Sequence, residues 1–245
     1  MSLDRVVTGG IYTDKRIHCN DQKILHELTS PRVWEWSRFR EIIIDLSILG
    51  AGNFVPAINR PDTIQLKGLW KTIADLQVLS EEKGKETSKV IFADRERRCL
   101  VISGQTAIGT QVSVTLTAKT EPGREQQQQR VVTIHTHPNG AASNGLSDTD
   151  YLTFIGDPKQ IAMIVTYEGG LIMPLKTTVT PNTMAKNDIV RRLADLRCDF
   201  FDRPNKQPML KVADLNKAVC VEFGLTLYTA TKRARDMVQR AEVTR

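Results

Sequence analysis

A chain of 245 residues with 40% apolar residues can bury a sizeable core, so disorder throughout is excluded. Its 34 basic against 28 acidic residues leave a net charge of +6, an excess too modest to mark nucleic acid as the partner. Cys19, Cys99, Cys198 and Cys220 lie far apart with no C-x-x-C pairing, and no secretory segment or apolar run of membrane-spanning length is present. The sequence therefore reads as a soluble cytoplasmic chain with reduced thiols and no membrane partner.

Residues 1–60 read as an N-terminal accessory region. After a glycine-bearing opening, a helix is expected over 34–49, with Trp34, Trp36, Phe39, Ile42, Ile43 and Leu46 on its apolar side. That face is expected to pack on the body of the protein; a module that presents or covers a substrate is the alternative. His18 and His26 have no ligating company and read as structural or exposed. Residues 50–62, with two glycines and two prolines, form a boundary.

An amphipathic helix follows over 64–79, then strands near 89–93, 98–103, 110–118 and 130–137. Arg95-Glu96-Arg97-Arg98 is a strand-to-strand turn, and Gln126-Gln127-Gln128-Gln129 reads as a flexible polar loop beside a cleft. The strand over 130–137 ends in His135-Thr136-His137-Pro138. Side chains two apart on a strand share a face, so both imidazoles look the same way, and Pro138 stops the ladder. An Asn- and Gly-rich turn then brings back Ser147 and Asp150.

Two neutral imidazoles and a carboxylate are a usual protein complement for a catalytic zinc that keeps one position for water. A lone His-x-His is more often a hydrogen-bonded surface pair. Here its company, Pro138 and the spaced Ser147 and Asp150, points to metal. Ser147 followed by Asp150 also reads as a capping box opening a helix, and a capping serine can still stand beside a metal.

These residues resemble the JAMM or MPN-plus metalloproteases, whose pattern is a Glu, then His-x-His-Pro, then Ser-x-x-Asp. The connection from His137 to Ser147 is two residues longer than the eukaryotic form. The resemblance implies an MPN/JAB-like α/β fold with a mixed sheet flanked by helices, zinc held by His135, His137 and Asp150, and Ser147 as oxyanion donor. It also implies a general base upstream, at the start of the strand after a helix. Glu86 fits that place, with Glu81, Glu82, Glu121 and Glu125 as competitors. The implied substrate is a ubiquitin-like protein or its conjugate, cut after its C-terminus. Alternatives are a sulfur-carrier or amino-acid-releasing peptidase of the same chemistry, a non-catalytic MPN scaffold, or a nucleic-acid-associated module of the RadC type.

Strands over 160–167 and 171–178 follow, joined at Glu168-Gly169-Gly170, with no long insertion of the kind many eukaryotic members carry. Helices are then expected over 184–201, 211–223 and 229–242, the last with Lys232-Arg233-Ala234-Arg235 on its wet face and Ala234, Met237 and Val238 at helical spacing. The chain thus divides into an extension at 1–60, a catalytic domain at 61–182 and a helical C-terminal region at 183–245.

Overall fold

The computed structural model describes residues 33–49, 60–111, 113–114, 120, 122–139, 145–181, 184–201, 208–234 and 236–241. In chain order these give β1 (Val33–Glu35), α1 (Trp36–Leu49), β2 (Thr63–Gln65), α2 (Lys67–Lys83), β3 (Thr87–Asp94), β4 (Cys99–Ile102) and β5 (Ala107–Ile108). Then come β6 (Gln128–Thr136), α3 (Asp148–Gly156), β7 (Ala162–Tyr167), β8 (Gly170–Leu175), α4 (Lys186–Phe201), α5 (Pro208–Glu222), β9 (Thr226–Thr231) and β10 (Met237–Arg240).

Alternation along the strands decides the layers. In β7, Ala162 and Ile164 join one apolar cluster and Met163 and Val165 another, so both faces of the sheet are covered. The first cluster takes in Trp36, Phe39 and Ile43 of α1 and Leu69, Ile73 and Leu76 of α2. The second takes in Tyr151, Phe154 and Ile155 of α3, with Ile189 and Leu193 of α4, Leu215 and Val219 of α5 and Phe223 just after it. The result is a mixed α/β fold, one sheet flanked by helices, and α1 packs on the body as its apolar side requires.

The sheet runs β1-β2-β10-β9-β8-β7-β6-β3-β4, with β5 added beside β3. Most neighbours are antiparallel. β1 with β2 and β6 with β7 are parallel. A parallel pair needs a crossover, and α3 lies in the one between β6 and β7. A bulge opposite Ile91 and Phe92 skips Val131 in the β3–β6 register, which shifts the side-chain alternation of β6 between its two ends.

Four expectations are corrected. The helix expected from 64 begins at Lys67, because Ile64 is fully buried between half-buried Thr63 and Gln65 and pairs with Val238 as a strand. Gln128 and Gln129 are buried members of β6 rather than loop, and the Gln128 amide donates to Asp94. Residues 110, 111, 113 and 114 are not strand; the rest of 110–118 lies outside the described residues, and the short β5 precedes it.

The helix expected over 229–242 is instead the hairpin of β9 and β10. Leu227 packs on one face while Tyr228 and Val238 pack on the other, a period of two that the turn from Thr231 to Met237 allows. The C-terminal region is therefore helical only in α4 and α5, and strands from all three expected regions enter the same sheet. His18, His26, Cys19 and most of the boundary at 50–62 lie outside the described residues. No helix among the described residues is long and apolar enough to cross a membrane.

Candidate metal centre

His135 lies on β6 opposite Ser88, and His137 follows the strand with its N–H donating to the Thr166 carbonyl at 2.8 Å, one step further along the parallel ladder. Strand parity turns both rings to the α3 side, where they are 3% and 2% exposed. Their Nε2 atoms stand 3.2 Å apart.

Asp150 arrives from the first turn of α3. Ser147 caps that helix: its Oγ accepts from the Asp150 N–H at 3.1 Å, and Asp150 Oδ2 accepts from the Ser147 N–H at 2.7 Å. The Ser147 hydroxyl also donates to Oδ2 at 2.7 Å. With Oδ2 held by the cap, Oδ1 turns to His135 Nε2 at 3.1 Å, and Oδ2 lies 3.7 Å from His137 Nε2. The capping box thus fixes the rotamer of the carboxylate, a local bond of about 1 kcal/mol that also aims Oδ1 at His135.

Glu86 enters from the end of α2. Gly84, in the left-handed region at φ +61°, closes the helix, and the Lys85 N–H returns to the Ser80 carbonyl at 3.2 Å. Glu86 then extends the β3–β5 ladder, its N–H donating to the Thr110 carbonyl at 2.7 Å and its carbonyl accepting from the Gly109 N–H at 2.9 Å. Pinned on both sides, it places Oε1 3.7 Å from His137 Nε2. Glu81 instead receives the amides of Gln77 and Asn139, and Glu82 is exposed at the end of the helix. Glu125 accepts from the Gly123 N–H in an exposed turn, and Glu121 lies outside the described residues.

Burial pushes the Glu86 carboxyl up to about 7, with the His135 imidazole opposing and the Asp150 charge adding. Burial also acts against the Asp150 charge, but His135, His137 and the Ser147 hydrogen bond outweigh it and hold that carboxyl well below the usual range. For His135 burial is again the largest influence and disfavours the charged ring; the Asp150 and Glu86 carboxylates win and raise its pKa. A cation held among these groups would lower the Glu86 value again.

Two imidazole lone pairs this close repel unless a proton or a cation lies between them. His135, His137 and Asp150 are also the one group among the described residues whose donor atoms converge as metal ligands do. Around a tetrahedral zinc, with bonds of about 2.0–2.2 Å, neighbouring donors stand about 3.3–3.5 Å apart. The two imidazole nitrogens at 3.2 Å and Asp150 Oδ1 at 3.1 Å from His135 lie close to that edge, and one donor atom from each of the three residues falls within 4.8 Å of the others, so the donor set fits such an ion in type and approximate size.

Family models, curated proteins and solved structures give no match to this chain. The site is therefore read from its own residues. Glu86, His135, Ser147 and Asp150 border a cleft of about 430 Å³, lined also by Arg130, Thr133, Thr149, Thr153, Phe154 and Gln160. Arg130 donates to Asp157 beyond the end of α3, and the Gln160 amide holds the Thr133 hydroxyl. Arg130, Thr133 and Gln160 do not stand out in the sequence, because the bonds Arg130–Asp157 and Gln160–Thr133 each join positions 27 residues apart.

Proposed function

We propose that this protein is a zinc-dependent peptidase of the JAMM type that hydrolyses an amide or isopeptide bond after the C-terminal tail of a ubiquitin-like protein. The observation that carries the reading is the meeting of Glu86, His135, His137 and Asp150 from three separate stretches of chain, with every donor type that the chemistry needs. The order of helix, Glu-bearing strand, His-x-His-Pro strand and serine-capped helix supports an MPN/JAB-like arrangement. Free thiols at Cys99, Cys198 and Cys220 fit a reducing cytoplasm.

In this reading His135, His137 and Asp150 hold the metal. Zinc bound there would supply Lewis acidity, polarising the scissile carbonyl and making a water more acidic. Glu86, buried and fixed at its backbone, takes the proton of the attacking water and returns it to the leaving amine. Ser147 donates to the oxyanion when its hydroxyl turns from Asp150 Oδ2, which keeps the Ser147 N–H. The cleft, whose lining mixes Thr133, Thr149, Thr153 and Gln160 with Phe154 and Met163, offers polar and apolar contacts to an extended segment beside the proposed metal site.

The deciding experiment measures zinc in the purified protein and then cleavage of a ubiquitin-like fusion. About one zinc per chain and chelator-sensitive cleavage of a Gly-Gly tail, with a Val-ended tail resistant, are expected. Equal cleavage of both tails would leave a less selective metallopeptidase. Zinc-loaded protein that cuts no tail but binds nucleic acid in a salt-sensitive way would overturn the peptidase reading.

A further inference from the structure

The metal-bearing turn of α3 is tied to the C-terminal helices on both sides of its ligand. Two residues before Asp150, Asp148 accepts from Arg197 Nε of α4 at 2.7 Å. One residue after it, the Tyr151 hydroxyl donates to Asn216 Oδ1 of α5 at 2.8 Å. Tyr151 and Asn216 are 2% and 3% exposed, so this second bond is buried, next to the Cys220 thiol.

α5 also seats the approach to the site. A Cβ on Gly145 would lie 2.5 Å from Asn216 Nδ2 and 2.8 Å from a Val212 methyl, so the chain leading to Ser147 passes close against α5 and a larger residue there would push those side chains aside. One asparagine therefore touches the segment before the cap and the residue after the ligand.

We infer that Asn216 is a positioning residue for the metal centre, setting metal affinity by fixing Asp150 through Tyr151. The inference rests on reading His135, His137 and Asp150 as metal ligands. A buried hydrogen bond is directional, so it specifies the rotation of the first helical turn, which apolar packing around Leu146, Phe154 and Ile155 constrains less sharply. Partners that orient ligands without touching the ion commonly govern affinity by about 10- to 100-fold.

The test separates positioning from folding. Asn216→Ala and Tyr151→Phe each leave a buried polar group without its partner, and both are expected to melt earlier and to bind zinc more weakly. The double variant Tyr151→Phe with Asn216→Leu removes both polar groups, which restores much of the stability because neither is left unsatisfied. Zinc affinity, measured by chelator competition, is expected to stay about 10- to 100-fold weaker in that double variant, with an altered visible spectrum when cobalt replaces zinc. Affinity and spectrum that return to wild type together with the melting temperature would overturn the inference and leave the metal reading standing. A wild-type chain that binds neither zinc nor cobalt would overturn both.

Discussion

At one end of the antiparallel pair β3 and β6, Asp94 receives Nε and Nη2 of Arg124 at 2.8 Å each, the Arg97 N–H at 2.9 Å and the Gln128 amide at 3.3 Å. At the other, Glu86 and Asp150 face two imidazoles, and among the described residues no lysine or arginine pairs with either. The β3–β6 ladder runs between them, with Asp94 and Glu86 both buried and Asp150 partly so. Bidentate arginine closes the first end electrostatically, whereas the second concentrates carboxylates and lone pairs that call for a small cation. The difference teaches which buried carboxylate is structural: the one whose charge is already answered.

The strongest way to break this contrast is at the proposed metal ligands. His135→Ala or Asp150→Ala should abolish zinc binding and hydrolysis, measured by elemental analysis and cleavage assays; full occupancy in both would show that the ion lies elsewhere. A sharper division falls within the same end. Glu86→Gln should keep the zinc and lose about 10² to 10⁴ in rate, because only the proton acceptor is removed. Activity near wild type would transfer the base to another group.

Ser147→Ala should retain zinc and lose about 10² in turnover, together with about 1 kcal/mol of stability from the lost cap. A stability loss without the turnover loss would confine Ser147 to capping. The smallest effect on activity is expected at the closed end. Arg124→Ala should leave zinc and rate unchanged while destabilising the fold, since a buried Asp94 carboxylate loses its partner.

Acid should make that closed end visible. The Arg124 hydrogen bonds, acting against burial, hold Asp94 at about 2, below its unfolded value of about 4. A depressed carboxyl stabilises the native state above the unfolded value, and that stability is lost as pH falls through about 4 to about 2. In an acid titration followed by circular dichroism, Arg124→Ala should therefore unfold at higher pH than wild type. An unchanged midpoint would mean that the pair contributes nothing to acid resistance.

The two ends were not equally legible in the sequence. His135, His137, Ser147 and Asp150 announce themselves because strand parity and helix capping are local rules, each acting over two or three residues. Glu86 needed a family pattern to single it out, since the closure of α2 at Gly84 and the pairing with residues 109 and 110 are invisible without the fold. Asp94 and Arg124, thirty positions apart, gave no signal at all. The misread hairpin has the same cause. Ala234, Met237 and Val238 imitate a helical stripe, but Val238 pairs with Ile64, a partner some 170 residues earlier that no window along the chain can show. The periodicity over 64–79 likewise takes in Ile64, which is held in a strand by that same distant partner.

That pairing also sets an order of assembly during synthesis. Among the described residues β2 has β1 and β10 as its sheet neighbours, so β2 leaves the ribosome long before the strand that joins it to the rest of the sheet exists. At translation speeds of about 5–20 residues per second, the delay between residues 65 and 237 is on the order of ten to forty seconds. Through that interval the β2 edge that will take β10 is unpaired, a window in which a nascent chain depends on chaperone cover.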